Sequence, residues 1–454
     1  MIKRCCLMLI LASVWAFSAS AQQSSPELRE ILDRLTRLEA QNTELLREVR
    51  SLRERLGGEE TKVTDETGIA KPPAPIAERM EITEQRVAEL DQTKVASDNK
   101  FPVTLTGMLL MNSYWNGKAS AGGQYPVVVP ETGYASGAGA TFRQSIIGLK
   151  VDGPEVLGGA KVNGSVYMDF FGGGTGLNQT MRLRTATLDL AWKQQTLGFA
   201  FDKPLIARRD PDSLAQVGVS PLTGSGNLWL WRPQVHVEQR HNWGDRSGLR
   251  AQFSVIQTAE GGTGVADQYA DTLASSRPGY EGRLEFWTQT GRARFEIAPG
   301  FHASSTRVIG QSVPSRIFSI DWLVRPMARV ELTGTFFNGQ NVGVIGGLRQ
   351  GVSIDYRDGE PYAQAVHSIG GWAQLKIRAT QRASINLFGG QEDDRNRDLM
   401  PDGITKNQSY GANVMYRLGP NFMTSFEASQ VRTSYFGSGT RINPHYDLAF
   451  AYLF

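Results

Sequence analysis

The sequence predicts an all-β protein, a 16-stranded antiparallel transmembrane β-barrel preceded by an α-helical coiled coil. Three observations carry that prediction. From Phe101 onward, short runs alternate apolar and polar residues with turn residues between them, and the connections between runs alternate long and short. The last residues, Tyr446 to Phe454 (YDLAFAYLF), place large side chains at every second position. The third observation is the abrupt change of chemistry before Phe101: residues 22–100 hold 13 Lys and Arg against 17 Asp and Glu and contain no Phe, Tyr or Trp.

In chain order, Lys3 and Arg4 precede an apolar segment from Cys5 to Phe17 and the small residues Ala19-Ser20-Ala21, the pattern of a secretory signal peptide over 1–21. Cys5 and Cys6 are the only cysteines and would leave with it, so the mature chain has no disulfide or thiolate metal site. Beyond the signal, no run of about 20 apolar residues supplies a membrane helix. A mean hydropathy of -0.30 is compatible with a barrel, because one polar face offsets one apolar face.

Over 24–57, Leu28, Ile31, Leu35, Leu38, Asn42, Leu45, Val49, Leu52 and Leu56 alternate spacings of three and four, the seam of a coiled coil. Asn42 at an a position sets register, and Leu32 and Leu46 at e widen the stripe toward a trimer, with a dimer as the alternative. A single amphipathic helix packed on its own domain is the other reading of this pattern. Gly57-Gly58 ends the helix, 58–75 with its KPPAP reads as a spacer, and 76–97 reads as a second, shorter helix.

The barrel is expected over 101–454. Its runs fall near 102–115, 141–152, 159–171, 180–192, 195–203, 232–242, 248–257, 280–289, 292–303, 316–325, 328–338, 365–379, 382–391, 408–418, 421–432 and 445–454. An even number of strands returns both ends to one side, which places the coiled coil in the periplasm beneath an outer-membrane barrel. A soluble sandwich, propeller or solenoid also offers many short strands. Against it stand the lack of a 20 to 50 residue repeat, the alternating connections, and strands with charge on one face and bare apolar groups on the other. Arg292, Arg294 and Glu296 oppose Ala293, Phe295 and Ile297, for example, and no helices remain to cover the apolar side. Lipid can cover it.

Alternation then assigns a lumen. Arg182, Arg184, Arg232, Arg250, Arg283, Arg292, Arg294 and Arg329 are the expected pore-lining cations, with Lys376 and Arg378, and Glu238 stands among the interleaved acids Asp169, Glu285, Glu296 and Glu331. Much of this set can be mutually neutralising. From Phe101 on, 26 Arg and 7 Lys face 28 acids, and Arg matches carboxylate and phosphate geometry through its planar fork. A bias toward small anionic solutes follows. The long connection 204–231 is expected to fold inward as a constriction loop, with Arg208 and Arg209 opposite Asp210 and Asp212; an outward loop with a solvated charge run is the alternative.

Catalytic motifs are lacking: the sequence contains no G-x-S-x-G elbow, no H-E-x-x-H helix and no phosphate-cradling glycine loop. Asp394-Arg-Asn-Arg-Asp398 begins like a calcium loop but lacks the glycine and closing Glu. The reading is of a protein that is not an enzyme, with no cofactor and no nucleic-acid partner.

Two segments carry a resemblance at the level of letters, RQSIIGLKVDGPEVLGGAKVNGSVYMDFFGG (143–173) and LRTATLDLAWKQQTLGFAFDKP (183–204). With the signal, coiled coil and strand pattern, the chain resembles trimeric outer-membrane porins with an N-terminal periplasmic coiled coil, the DcaP-like and phosphate-selective porins. That group often reads R-x-S-R-L-G-L-K at the first segment, where this chain has Ile146 in place of the second Arg. The resemblance implies passive diffusion of small polar solutes, dicarboxylates or phosphate-like anions, through a homotrimer in outer-membrane lipid. A structural tether, with a plugged barrel and a cell-wall-directed coiled coil, is the alternative function. In the last run, Tyr446, Leu448, Phe450, Tyr452 and Phe454 share the expected lipid face, and Phe454 resembles the aromatic signal that such barrels present to the barrel-assembly machinery.

Overall fold

The computed structural model describes residues 102–454, apart from 119–123, 133–134, 157, 174–178, 276 and 349. The expected signal peptide (1–21), coiled coil (24–57), spacer (58–75) and short helix (76–97) lie outside the described residues.

Sixteen strand positions close into one antiparallel barrel. The first is β1 (Val103–Asn116); the second is shared by β2 (Gly137–Thr141) and β3 (Ile146–Val156), both paired with β1. There follow β4 (Ala160–Gly172), β5 (Thr180–Ala191), β6 (Gln195–Asp202), β7 (Arg232–Asn242), β8 (Ser247–Gln257), β9 (Pro278–Thr290), β10 (Ala293–Val308), β11 (Gln311–Met327) and β12 (Val330–Gln340). A small separate hairpin, β13 (Val352–Arg357) and β14 (Glu360–Ala365), interrupts the sequence. The barrel resumes with β15 (His367–Arg378), β16 (Ala383–Asp394), β17 (Ile404–Arg417), β18 (Phe422–Tyr435) and β19 (Gly439–Leu453). Closure is made by β19 on β1, in register from Met108 opposite Leu453 to Asn116 opposite His445. No strand edge of the barrel is left open, so every ladder hydrogen bond can be made without water.

The faces separate as a membrane barrel requires. On β19, Tyr446, Leu448, Phe450 and Tyr452 are exposed, while His445, Asp447, Ala449 and Ala451 are buried. The same division recurs with Val235 and Val237 on β7 and Phe295 and Phe301 on β10 facing out, against Glu296 and His302 facing in. Phe454 extends this strand: its N–H donates to the Gly107 carbonyl at 3.1 Å and its carbonyl accepts from Gly107 N–H at 2.9 Å. Its ring covers Gly107, where any Cβ would collide with it.

The strand set agrees with the expected runs, with instructive departures. The run 141–152 is broken at Phe142–Ser145, so that it becomes two strands on one partner. Residues 304–315 and 433–444, read as connections, are strand almost throughout, turning only at Ile309-Gly310 and between β18 and β19. Their Ser, Thr and Arg looked like loop, but strands that rise above the hydrocarbon need no apolar outer face. The wall is consequently uneven: β6 has 8 residues, whereas β10 and β11 have 16 and 17.

Candidate functional site: a loop seated inside the barrel

Between β6 and β7 the chain turns into the lumen. Leu205, Ile206 and Ala207 form one short 3-10 turn and are buried, packing with Leu228 against Ile317 of β11, Phe337 of β12 and Val342, Val344 and Ile345. Both ends of the loop are therefore held by one apolar cluster. The stretch between them is held by polar side chains of the inner wall, which have no other means of satisfying themselves away from water.

Those anchors circle the barrel. The buried Glu281 of β9 accepts the Leu205 N–H at 2.6 Å and contacts His302 Nδ1 at 3.0 Å. Arg209 donates to Asp321 at 2.6 Å and Glu296 at 2.7 Å. Ser213 donates to Glu427 at 2.6 Å, and Asn413 donates to the Asp212 carbonyl at 2.8 Å. Asn112 of β1 donates to the Leu214 carbonyl at 2.8 Å. Gln144, in the break between β2 and β3, donates to the Ala215 carbonyl and accepts from the N–H groups of Val217 and Gly218. Gln374 of β15 does the same from within a strand, accepting from the Asp212 N–H at 2.7 Å and donating to the Asp212 carboxylate at 2.6 Å. Farther along, Asn407 donates to the Gly224 carbonyl at 2.8 Å. Gly226, with φ of 96°, lies flush on the wall, and a side chain there would strike the Gly371 carbonyl.

The sequence-predicted charges are distributed unevenly around this loop. Arg182 forks onto Asp169 at 2.8 and 3.1 Å and also donates to the Gly218 carbonyl. Arg184 donates to the same Asp169 at 2.7 Å and to the Val217 carbonyl at 2.8 Å. Both guanidinium groups lie over the Trp231 ring, at 5.1 and 4.8 Å from its centroid. Arg143 and Arg182 also cover Phe171, at 4.4 and 5.1 Å. On the far side of Phe171, Tyr125 stacks at 5.7 Å, and burial pushes its phenol well above the ordinary value, so it stays neutral. Two arginines thus share one carboxylate, and the third, Arg143, stands beside them over Phe171.

Elsewhere the expected lumen cations are matched. Arg283 is sealed by Asp321 and Glu285, Arg250 pairs with Glu285 at 2.6 Å, Arg294 pairs with Glu296, and Glu238 holds Arg240 and Gln252. Arg232 donates to the carbonyls of Gln257 and Thr258. Arg292 and Arg329 are not on the wall: they stand exposed in the turns before β10 and β12, because those strands begin at Ala293 and Val330, later than the expected 292 and 328. Nor do the loop charges oppose one another. Arg208 pairs with Asp202 at 2.9 Å, Asp210 with Lys203, and Asp212 with Lys376 at 3.1 Å; the wall supplied partners that a local reading of the loop had to seek within it.

On the other side of β1, strands β16, β18 and β19 carry Glu392, Asp394, Glu427 and Asp447, all buried and with no Lys or Arg partner among the described residues. They serve as acceptors: Glu392 takes the Leu348 N–H at 2.9 Å, Asp394 the Gln350 amide at 2.6 Å, and Asp447 the Asn112 amide at 3.0 Å. Two cavities flank the loop. One, of about 1000 Å³, is lined by Val127, Trp229, Arg232, Glu260 and Gly346. The other, of about 500 Å³, is lined by Arg184, Asp202, Lys203, Asp210, Trp229 and Trp231. Trp229 borders both. Sequence reasoning passed over Trp229, Trp231, Phe171 and Gln144, although the alternation Trp229-x-Trp231 next to Arg232 was a visible signal for the first two.

No protein-family model matches the chain, and no curated protein matches its sequence. Solved structures do match its fold. The outer membrane channel DcaP of Acinetobacter baumannii superposes with a TM-score of 0.62 at 14% identity, covering 78% of this chain and 97% of that one. An anion-selective porin from Comamonas acidovorans superposes with a TM-score of 0.50 at 13% identity, covering 78% of this chain and 99% of that one. The fold is that of the 16-stranded outer-membrane porins.

Proposed function

We propose that this chain is a porin for passive diffusion of small polar solutes, biased toward anions of the dicarboxylate or phosphate-like class. The observation that carries the bias is the pair Arg182 and Arg184 on the single carboxylate of Asp169, with Arg143 beside them over Phe171, against the loop that crosses the lumen. Side-chain exposures of 27% and 14% leave Arg182 and Arg184 accessible, whereas the acids Glu392, Asp394, Glu427 and Asp447 are buried. In this reading Arg208, Arg209, Asp210 and Asp212 belong to the constriction, and Trp229 borders the cavities on either side of the loop. The anion selectivity of the Comamonas porin is in keeping with that sign.

The same reading takes the assembly as a homotrimer in outer-membrane lipid, with the 24–57 coiled coil in the periplasm and Phe454 presented to the assembly machinery. The competing tether reading draws on the many anchors across the lumen, and one experiment separates the two. Purified protein in a planar bilayer under a KCl gradient is expected to conduct with a reversal potential of anion-selective sign. Absence of conductance would favour the tether; a cation-selective potential would remove the anion assignment.

A further inference from the structure

The outer wall carries a second feature that permeation does not use. Between β11 and β17 a furrow of about 500 Å³ opens on the lipid-facing side, lined by Trp322, Phe336, Gly371, Ala373, Gly389 and Tyr410. Its floor exists because three outward positions on neighbouring strands, Gly371, Ala373 and Gly389, have little or no side chain, while Trp322 lies down over Gly334. Toward the long-loop end the lining turns polar. Gln391 and Gln408 are hydrogen-bonded to each other at 3.1 Å on the exposed surface, and the Tyr410 hydroxyl donates to Gln430 at 2.5 Å.

Outward amides on a lipid-facing wall are costly unless a polar group meets them. In the same outward row, Arg432 is the cross-strand neighbour of Gln408, and its buried Nε has no hydrogen-bond partner among the described residues. One outward row higher, about 7 Å at the strand rise, stands Lys406, bound to Asp393 at 2.5 Å, and Arg316 stands outward at the top of β11. The long-loop halves of β1 to β9 place no Lys or Arg outward, so the cations and the furrow belong to one side of the barrel.

We propose that this furrow is a lipid site: it holds one acyl chain of a phosphate-bearing glycolipid of the outer leaflet, whose phosphate lies on Arg432 and whose head-group oxygens accept from the Gln391 and Gln408 amides. Charge complementarity selects this occupant over a zwitterionic phospholipid, whose ammonium offsets its own phosphate, since Arg432 has no acidic partner among the described residues and a guanidinium matches phosphate bidentately. The long-loop end faces the outer leaflet, which puts the cations at head-group depth and the furrow beneath them among acyl chains.

The full-length protein, purified in detergent, would be titrated with lipopolysaccharide and with the same glycolipid after removal of its phosphates, and bound lipid read by native mass spectrometry. Wild type is expected to retain the phosphorylated form about tenfold better than the dephosphorylated one. Arg432→Gln should erase that preference, and Gly389→Leu, whose Cβ would lie 3.3 Å from Tyr410 Cβ so that the tyrosine gives by a few tenths of an ångström, should lower retention of both forms by filling the furrow. Phe199→Leu, on the opposite wall, serves as the folding and binding control and should change neither. Equal retention of the two glycolipids by wild type, equal retention of a zwitterionic phospholipid, or unaltered binding by Gly389→Leu would each overturn the site. So would a disulfide-linked dimer from Ala373→Cys, which would mean that a second copy fills the furrow. Conductance is indifferent to all four variants, so failure here is separable from failure of the porin reading.

Discussion

The arginine side of the lumen, β4 and β5 with Trp231, and the carboxylate side, β16 to β19, hold the same loop by opposite means. On the first, guanidinium groups donate to the carbonyls of Val217 and Gly218. On the second, Glu427 accepts from Ser213 and Asn413, and Asp447 from Asn112. Either polarity satisfies a backbone that would otherwise be orphaned. The difference lies in what is left over: the arginines keep part of their surface exposed, while Glu427 and Asp447 are buried among their donors. Formal charge along the wall is therefore a poor guide to the charge a solute meets.

The most disruptive way to break that contrast is Asp169→Asn. It leaves Arg182 and Arg184 without their carboxylate, and the refolded barrel should lose about 3 kcal/mol in urea unfolding while its reversal potential moves further toward anions. An unchanged midpoint would mean the pair contributes nothing. Next, Glu281→Gln removes the charge that faces His302 and accepts from Leu205. A loss of about 2 kcal/mol is expected, together with an increase in open-channel noise in single-channel records if the start of the loop is freed. Trp231→Leu takes away the ring beneath two guanidinium groups and should cost about 1 kcal/mol; selectivity for chloride over potassium should fall as Arg182 and Arg184 lose their fixed orientation. Arg292→Gln sharpens the comparison from the other side. Exposed in a turn, it should change stability by less than about 0.5 kcal/mol and leave the reversal potential where it was.

Much of the barrel was legible because a closed sheet writes a period of two into its sequence. The run predicted at 232–242 coincides with β7, where Arg232, Glu238 and Arg240 alternate with Val235 and Val237. Legibility failed where the period lost its meaning. Above the membrane, Ser304, Ser305 and Thr306 continue β10 without an apolar face, and at Phe142–Ser145 a strand is interrupted where Gln144 meets the loop. The seat of the loop was hidden for another reason. Asn112 reaches Leu214 across 102 positions and Ser213 reaches Glu427 across 214, and nothing local distinguishes those polar residues from others that merely wet a lumen. Arg292 and Arg329 show the reverse error, in which a shift of a turn by one or two residues took a predicted wall residue out of the barrel.

The anchors of the inner loop also set an order of events during assembly. Neighbouring hairpins can zip one after another, since each pairs with the strand that follows it in sequence. The loop has no such freedom, because its partners come from β1 and β5 at one end of the chain and from β17 and β18 at the other, which come together only when β19 meets β1. Long-range pairing of this kind is slow. Docking of the loop is thus a late event that reports closure, and a change in Trp229 and Trp231 fluorescence trailing the formation of strand structure would be its kinetic signature.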